Sequence, residues 1–341
     1  MTRSPHDDEN HAQDGDGMLS VYVPRGTTLE RMVVEPGSPP SEEAVWIDLV
    51  SPTVQEDKLV EKLLGIAVPT REEMQEIEVS SRLYVENGAR YMTATLMCQS
   101  DTDTPKTTPV TFILSGHRLA TVRYDDPRPF AIVEYKLARS CPAKVTGETV
   151  LMDLLDAVVD RSADILERIG AEVDQVSHSI FEPEDDAEPP SYKDVLKALG
   201  RKGDLTSKVR ESLVSIGRLL LFLTTEAEGM RWNKDVRAHL QSMRRDTASL
   251  SDHASYLSSK ITFLLDAMLG VVNIEQNAII KIFSIAAVIF MPPTLVASIY
   301  GMNFHKGMIE LEWDYGYPFA LILMVFAAVL PILYFKWRKW L

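Results

Sequence analysis

The stretch "IYGMNFHKGMIELEWDYGYP", residues 299–318, separates two apolar runs near the end of the chain. The run before it, 282–300, has nineteen consecutive residues without a charge, and the run after it, 318–335, has eighteen. Each run is about as long as a helix needs to cross roughly 30 Å of hydrocarbon at about 1.5 Å per residue. We therefore predict two transmembrane helices, 282–300 and 318–335, joined by a loop, 301–317.

The charges that flank these runs predict their orientation. Basic residues precede the first run and follow the second, whereas the loop holds three acidic residues against a single lysine, Lys306. The basic residues are Lys281, Lys336, Arg338 and Lys339, and the acidic residues are Glu310, Glu312 and Asp314. Because basic flanks favour the cytosolic side, we expect both termini, including the tail 336–341, in the cytosol and the loop outside. The three carboxylates either concentrate cations there or are solvated loop charges without a role.

The N-terminal part lacks the apolar core of a secretory signal and is expected to stay in the cytosol. Residues 1–17 are polar and acidic, which is typical of disorder. Between 18 and 146, five runs rich in β-branched and aromatic residues predict strands: "LSVYVP", "AVWIDLV", "RYMTATLMC", "TPVTFILSG" and "HRLATVRY". The run "SPTVQEDKLVEKLLG" predicts a helix that is capped by Ser51 and ends at Gly65. We expect a cytosolic α+β domain of largely antiparallel strands with helices beside them.

The next segment, 147–281, has an almost uninterrupted helical period. It predicts helices over 148–181 and 191–228, the second with a possible break at "LGRKGD", 199–204. From 233 to 291 there is no proline and one glycine, Gly270. A continuous helix of that span is about 90 Å long and needs lateral partners. We therefore expect a long stalk helix in a helical bundle that also packs against other copies of the chain.

The composition disfavours two classes of function. The net charge is −14, from 49 acidic and 35 basic residues, so a nucleic-acid backbone would be repelled and cations are the more natural partners. Seven scattered histidines form no convincing catalytic constellation, and no phosphate loop or nucleotide fingerprint occurs. The two cysteines, Cys98 and Cys141, have no metal-ligand spacing. We expect no enzyme and no organic cofactor.

The first membrane run carries a stripe of small and polar residues. At 100° per residue, six residues fall within about one third of the circumference: Asn277, Ser284, Ala287, Met291, Thr294 and Ser298. Ile282, Ile285, Ile289 and Val296 lie on the far side. Two helices have no interior, so a polar pathway along this stripe must be shared between subunits. Close packing of membrane helices is the alternative explanation of the stripe.

Several motifs together resemble the CorA family of magnesium transport proteins: "YGMNF" after "FMPPTLVASI", the downstream "ELEWDYGYP" and the terminal "YFKWRKWL". The resemblance implies a homopentameric, funnel-like channel in the inner membrane that carries Mg²⁺ and also Co²⁺ or Ni²⁺. It implies that Asn303 is the outer selectivity residue, with Gly301 and Met302 completing its motif. It also implies that the first membrane helix lines the pore with Asn277, Phe283, Met291, Thr294 and Ser298. The loop departs from the family, with "HKGMIEL" where the family reads close to "MPEL".

The resemblance further implies that intracellular divalent ions hold the channel closed. Carboxylates of the cytosolic helices are candidates for such regulatory sites: Asp153, Asp160, Asp246, Asp252 and Asp266. A solvated acidic face is the alternative for the series on the helix after 146. Two other functions stay open, namely a Zn²⁺ transporter of the same superfamily and a membrane-anchored sensor or scaffold.

Overall fold

The computed structural model describes residues 17–142, 144–181, 191–229, 232, 234–302 and 314–338. Apart from Gly17, the segment predicted to be disordered lies outside these residues. The chain forms two compact units, Met1–Leu264 and Leu265–Leu341. The first unit contains one sheet and the helices that cover it, and the second contains the apolar helices.

The first unit is built on a seven-stranded sheet. Its strands are β1 Met18–Arg25, β2 Thr28–Val33, β3 Trp46–Val50, β4 Leu83–Glu86, β5 Ala89–Cys98, β6 Lys106–Ser115 and β7 Arg118–Arg123. Their order is β2-β1-β3-β7-β6-β5-β4. Every neighbouring pair is antiparallel except β3 and β7, which are parallel. The prediction of a largely antiparallel sheet and the five predicted strands are therefore confirmed. The short edge strands β2 and β4 were not predicted.

Four short helices accompany the sheet: α1 Val54–Leu64, α2 Arg71–Gln75, α3 Val79–Arg82 and α4 Arg128–Arg139. The predicted cap of α1 was wrong by two residues. Thr53, and not Ser51, caps the helix, because its hydroxyl accepts from the backbone of Glu56 while the Glu56 carboxylate accepts from the backbone of Thr53. This reciprocal pair satisfies two free backbone donors at once, which a serine two residues earlier cannot do. Gly65 ends α1 in the left-handed conformation, as predicted.

Alternation along the strands gives the sheet two buried faces. On β3, Trp46 lies in one apolar cluster and Ile47 and Leu49 in the other. The first cluster is covered by α4 and the long helices α5 Gly147–Phe181 and α6 Tyr192–Gly229. The second is covered by α1 and α2, through Val60 and Met74. Both faces of the sheet are therefore used by the chain's own helices.

The long helices are more continuous than the sequence indicated. Helix α6 runs without a break through 199–204, where Leu199 is buried and Gly203 faces Ile261. Helix α7, Lys234–Tyr300, has 67 residues and continues through Pro292 and Pro293. Helix α8, Gly316–Trp337, follows the loop. Packing of the apolar face thus outweighs the low helix propensity of isolated glycine.

Gly147 joins the sheet to α5 at a close approach. Its N–H donates to the carbonyl oxygen of His117 at 2.6 Å, and a Cβ at this position would lie 2.4 Å from the backbone nitrogen of Leu119. We expect Gly147→Ala to lower the free energy of unfolding by about 1–3 kcal/mol, since backbone atoms must move. Gly200→Ala, in α6 with open space around its Cβ, should instead be neutral or stabilising by up to about 1 kcal/mol. Thermal midpoints of both variants in detergent measure the difference, and equal midpoints would contradict the steric argument.

Candidate functional site

The part of α7 that belongs to the second unit has two unlike faces. Every residue predicted to line a pore is exposed, and the opposite side is partly covered. The exposed set is Asn277, Phe283, Ser284, Ala287, Met291, Thr294 and Ser298, and the partly covered set is Ile285, Ala286, Ile289, Pro292, Pro293, Val296 and Tyr300. At 100° per residue the two sets are centred on opposite sides of the helix. The predicted stripe is therefore the free face of α7, although Ile282, assigned to the far side, is also exposed.

Helix α8 has one covered stripe of mostly small residues. Its buried or partly covered residues recur three or four positions apart, with one adjacent pair. They are Gly316, Ala320, Met324, Ala327, Ala328, Pro331 and Phe335. Most of its remaining circumference is exposed and apolar, as at Ile322, Val325, Phe326 and Leu330. Small residues permit close approach of membrane helices, and α8 is the only other described helix of this unit. The covered stripe of α8 is therefore suited to packing against another helix, and the rest of α8 is suited to lipid.

Two prolines and a threonine modify the backbone of α7. Pro292 and Pro293 have no N–H, so the carbonyl groups of Val288 and Ile289 lose their helical donors. One residue further on, the Thr294 hydroxyl donates to the carbonyl oxygen of Phe290 at 2.7 Å. Because its hydrogen is used within the helix, the Thr294 oxygen keeps its lone pairs as acceptors on the exposed face. A neutral oxygen acceptor at this position is suited to the waters of a hydrated cation.

The helix closes with a turn that contains the start of the predicted motif. The N–H of Gly301 donates to the carbonyl oxygen of Ala297 at 2.9 Å, and that of Met302 donates to Ile299 at 3.3 Å. Gly301 and Met302 are both exposed. The predictions for Asn303, Glu310 and Glu312 lie outside the described residues. Asp314, the third predicted loop carboxylate, is described and exposed directly before α8.

The regulatory candidates fall into two groups. Asp160 on α5 and Asp246 on α7 interact electrostatically: burial first, and then the charges of Asp156, Asp164 and Asp246, raise the pKa of Asp160. Asp252 and Asp266 are exposed on α7. Among the described residues, no three histidine, cysteine, aspartate or glutamate side chains are arranged so that they could hold a metal ion. A single chain therefore brings Asp160 and Asp246 together without completing a metal site.

Two basic residues near this acidic face were not predicted. Lys136 Nζ lies 2.7 Å from Asp153 Oδ1, and His239 Nε2 lies 2.6 Å from Asp156 Oδ2. Lys136 belongs to α4 and His239 to α7, so only the packing of these helices beside α5 brings the groups together. A single lysine or histidine with no fixed spacing from its partner does not predict such a contact from the sequence. Asp153 is thus already paired, which makes Asp160 the stronger candidate.

The architecture defines a class of protein. Helices α7 and α8 are both long and apolar enough to cross a membrane, and no residue of the most apolar stretch of α7 is buried. They follow an N-terminal unit with its own sheet and buried core. The chain therefore has the build of a membrane protein with an α+β domain, a long helix and a C-terminal pair of apolar helices.

Comparison with known proteins gives the family. The model of the CorA-like Mg2+ transporter protein family matches residues 41–337. Two relatives named magnesium transport protein CorA are each 36% identical to this chain. The one from Escherichia coli K12 aligns with 95% of this chain and with its own full length, and the one from Haemophilus ducreyi aligns with 88% of this chain and 92% of its own length. The complete structure of the CorA magnesium transporter from Methanocaldococcus jannaschii, at 18% identity, has a TM-score of 0.72 over 95% of this chain and 98% of its own. The chain belongs to the CorA family.

Proposed function

We propose that the protein is a homopentameric channel that carries Mg²⁺, and also Co²⁺ or Ni²⁺, passively across the inner membrane into the cytosol. The observation that supports this proposal most directly is the free face of α7, which presents small and polar residues opposite the partly covered face. One α7 and one α8 enclose no path, so five copies of the free face surround it. In this proposal both termini lie in the cytosol, because basic flanks favour the cytosolic side.

Asn303 forms the outer entrance in this proposal, with Gly301 and Met302 setting its position. Mg²⁺ gives up its first-shell waters reluctantly, so a fast entrance binds the hydrated ion. Five amide oxygens accept hydrogen bonds from those waters without the strong attraction of a carboxylate ring. Glu310, Glu312 and Asp314 raise the local cation concentration instead.

The pathway continues along the free face to Asn277. Ser284, Thr294 and Ser298 supply hydroxyl oxygens, and the exposed apolar side chains of Phe283 and Met291 close the path by dewetting when the subunits are tight. The ion needs no chemical fuel, because a divalent cation entering a negative interior gains roughly 4.6 kcal/mol per 100 mV.

Gating in this proposal depends on cytosolic divalent ions. Asp160 and Asp246, with Asp153, Asp252 and Asp266 as further candidates, supply carboxylates that a second subunit completes into metal sites. Bound Mg²⁺ offsets the repulsion from Asp156, Asp164 and Asp246 that, after burial, raises the pKa of Asp160. Loss of the ion restores this repulsion, loosens the subunits and opens the path.

Two competing functions make different predictions. A Zn²⁺ transporter conducts Zn²⁺ in preference to Mg²⁺, and the similarity to proteins named for magnesium transport favours the Mg²⁺ channel. A membrane-anchored sensor or scaffold conducts no ion, and its anchor needs no polar face on α7. Flux of Mg²⁺ and Zn²⁺ into liposomes with a negative interior separates the three. Mg²⁺ entry that rises with the potential supports the channel, whereas absence of entry under a gradient contradicts it.

Asp160→Asn tests the regulatory part. We expect Mg²⁺ to protect the wild-type protein in detergent against trypsin, and the variant to need about tenfold more Mg²⁺ for half-protection, because one charged ligand is lost. Glu35→Gln removes an exposed carboxylate from a loop and should leave protection unchanged. The same Mg²⁺ dependence in wild type and Asp160→Asn would remove Asp160 from the regulatory site.

A further inference from the structure

The connection between β5 and β6, "QSDTDTP" at 99–105, is held by arginines from three helices. Arg128 at the start of α4 and Arg161 on α5 donate to Asp101 Oδ2 at 2.7 and 2.6 Å, and Arg168 on α5 donates to Oδ1 at 2.5 Å. Arg201 on α6 donates to Asp103 at 3.1 Å. We call Arg128, Arg161, Arg168 and Arg201 the arginine cluster.

The arginine cluster carries more positive charge than its carboxylates balance. Four guanidinium groups meet two aspartates, an excess of two positive charges in a chain whose net charge is −14. Burial, and then the charge of Arg168, lowers the pKa of the neighbouring Lys202, which pairs with Glu172. The second of these causes shows that Arg168 lies close enough to repel a further positive charge.

The geometry also leaves one donor of the cluster without an acceptor. Arg161 Nε is buried and has no hydrogen-bond partner in the described part of the chain. The Arg161 side chain is 16% exposed, whereas Arg128 and Arg168 are 65% and 40% exposed and open to solvent. Arg128 uses one of its guanidinium nitrogens, NH1, on Asp101. The cluster therefore combines a buried donor with two guanidinium groups that an anion in solution can reach.

We propose that the arginine cluster is a binding site for a polyphosphate anion, either free or as the triphosphate chain of a nucleotide. Planar guanidinium groups match phosphate oxygens in paired hydrogen bonds, and a multiply charged anion offsets the excess positive charge. Asp101 is the internal competitor, because its carboxylate occupies the same donors of Arg128 and Arg168. The anion replaces it and releases the 99–105 connection from α4 and α5.

Calorimetric titration of the full-length protein in detergent with sodium tripolyphosphate, and separately with ATP, tests this site. EDTA in every sample removes divalent ions, so chelation of Mg²⁺ cannot produce the heat. We expect saturable binding in wild type, about tenfold weaker binding in Arg128→Gln because one charge-assisted contact is lost, and tighter binding in Asp101→Asn because the competitor is neutral. Equal affinities for the two ligands assign recognition to the phosphates alone, and tighter ATP binding adds contacts to the nucleoside.

Arg25→Gln is the matched control, since Arg25 is exposed, pairs with Glu43 at 3.2 Å on another part of the sheet and loses the same charge. It should bind like wild type. Arg128 is largely exposed, so its replacement is not expected to unfold the protein. No binding in wild type, or equal weakening in Arg128→Gln and Arg25→Gln, overturns the proposal. Weaker binding in Asp101→Asn overturns the competition between anion and carboxylate.

Discussion

Replacement of Asn303 by alanine is expected to reduce Mg²⁺ entry into liposomes by about 100-fold. In the proposed pentamer this change removes five amide oxygens from one ring at the entrance. Each net hydrogen bond to a water of the hydrated ion is worth about 1 kcal/mol. Loss of about three such bonds at the point of entry, roughly 3 kcal/mol, therefore gives about two orders of magnitude in rate.

The measurement is the initial rate of Mg²⁺ entry, followed by an enclosed Mg²⁺-sensitive dye under a fixed negative-inside potential. Asn303→Gln keeps the amide and should retain part of the flux, whereas Asn303→Asp binds the ion more strongly and slows its release. Val296→Ala, on the partly covered face of α7, is the control for a change in the same helix away from the path. Equal rates in wild type and Asn303→Ala would contradict the proposed entrance while leaving family membership untouched.

Helical periodicity predicted the free face of α7 because residues on one face of a helix recur at fixed angles whatever the fold around them. Neither Lys136 beside Asp153 nor His239 beside Asp156 could be predicted in this way. Those contacts join residues that are 17 and 83 positions apart. They depend on how α4 and α7 pack beside α5, and no local pattern encodes that packing.

The same limit applies to the sheet. The central strands were predictable because β-branched and aromatic residues fill their buried positions. The strands β2 and β4 lie at the edges, where one side of the strand has no neighbour and most side chains are exposed, so their hydrophobic signal is weak. The run "AVWIDLV" predicted β3 but gave no partner for Asp48, because its partner Arg123 lies 75 residues later on β7.

Asp48 and Arg123 form a buried ion pair at the parallel junction of the sheet. The two residues are 2% and 7% exposed, and Arg123 donates to Asp48 Oδ2 through NH2 at 3.0 Å and through Nε at 3.2 Å. The Thr121 hydroxyl donates to Asp48 Oδ1 at 2.6 Å, and the guanidinium lies 4.7 Å from the centre of the Phe130 ring. Burial alone would lower the pKa of Arg123, but the charges and hydrogen bonds of Asp48 and Asp126 together outweigh burial and raise the pKa. Arg123 therefore stays charged inside the domain.

Asp48→Asn is expected to lower the free energy of unfolding of the N-terminal unit by about 3–5 kcal/mol, because the charge of Arg123 stays buried without its main partner. The thermal midpoint and the rate of proteolysis in detergent measure the loss. Glu43→Gln, which weakens the exposed pair with Arg25, should cost at most about 1 kcal/mol. The double variant Asp48→Leu/Arg123→Met should recover much of the stability, since it removes both charges from an apolar site. If Asp48→Asn costs no more than Glu43→Gln, the junction is held by apolar packing alone. If the double variant is weaker than Asp48→Asn, the pair stabilises the fold beyond the cost of burying its charges.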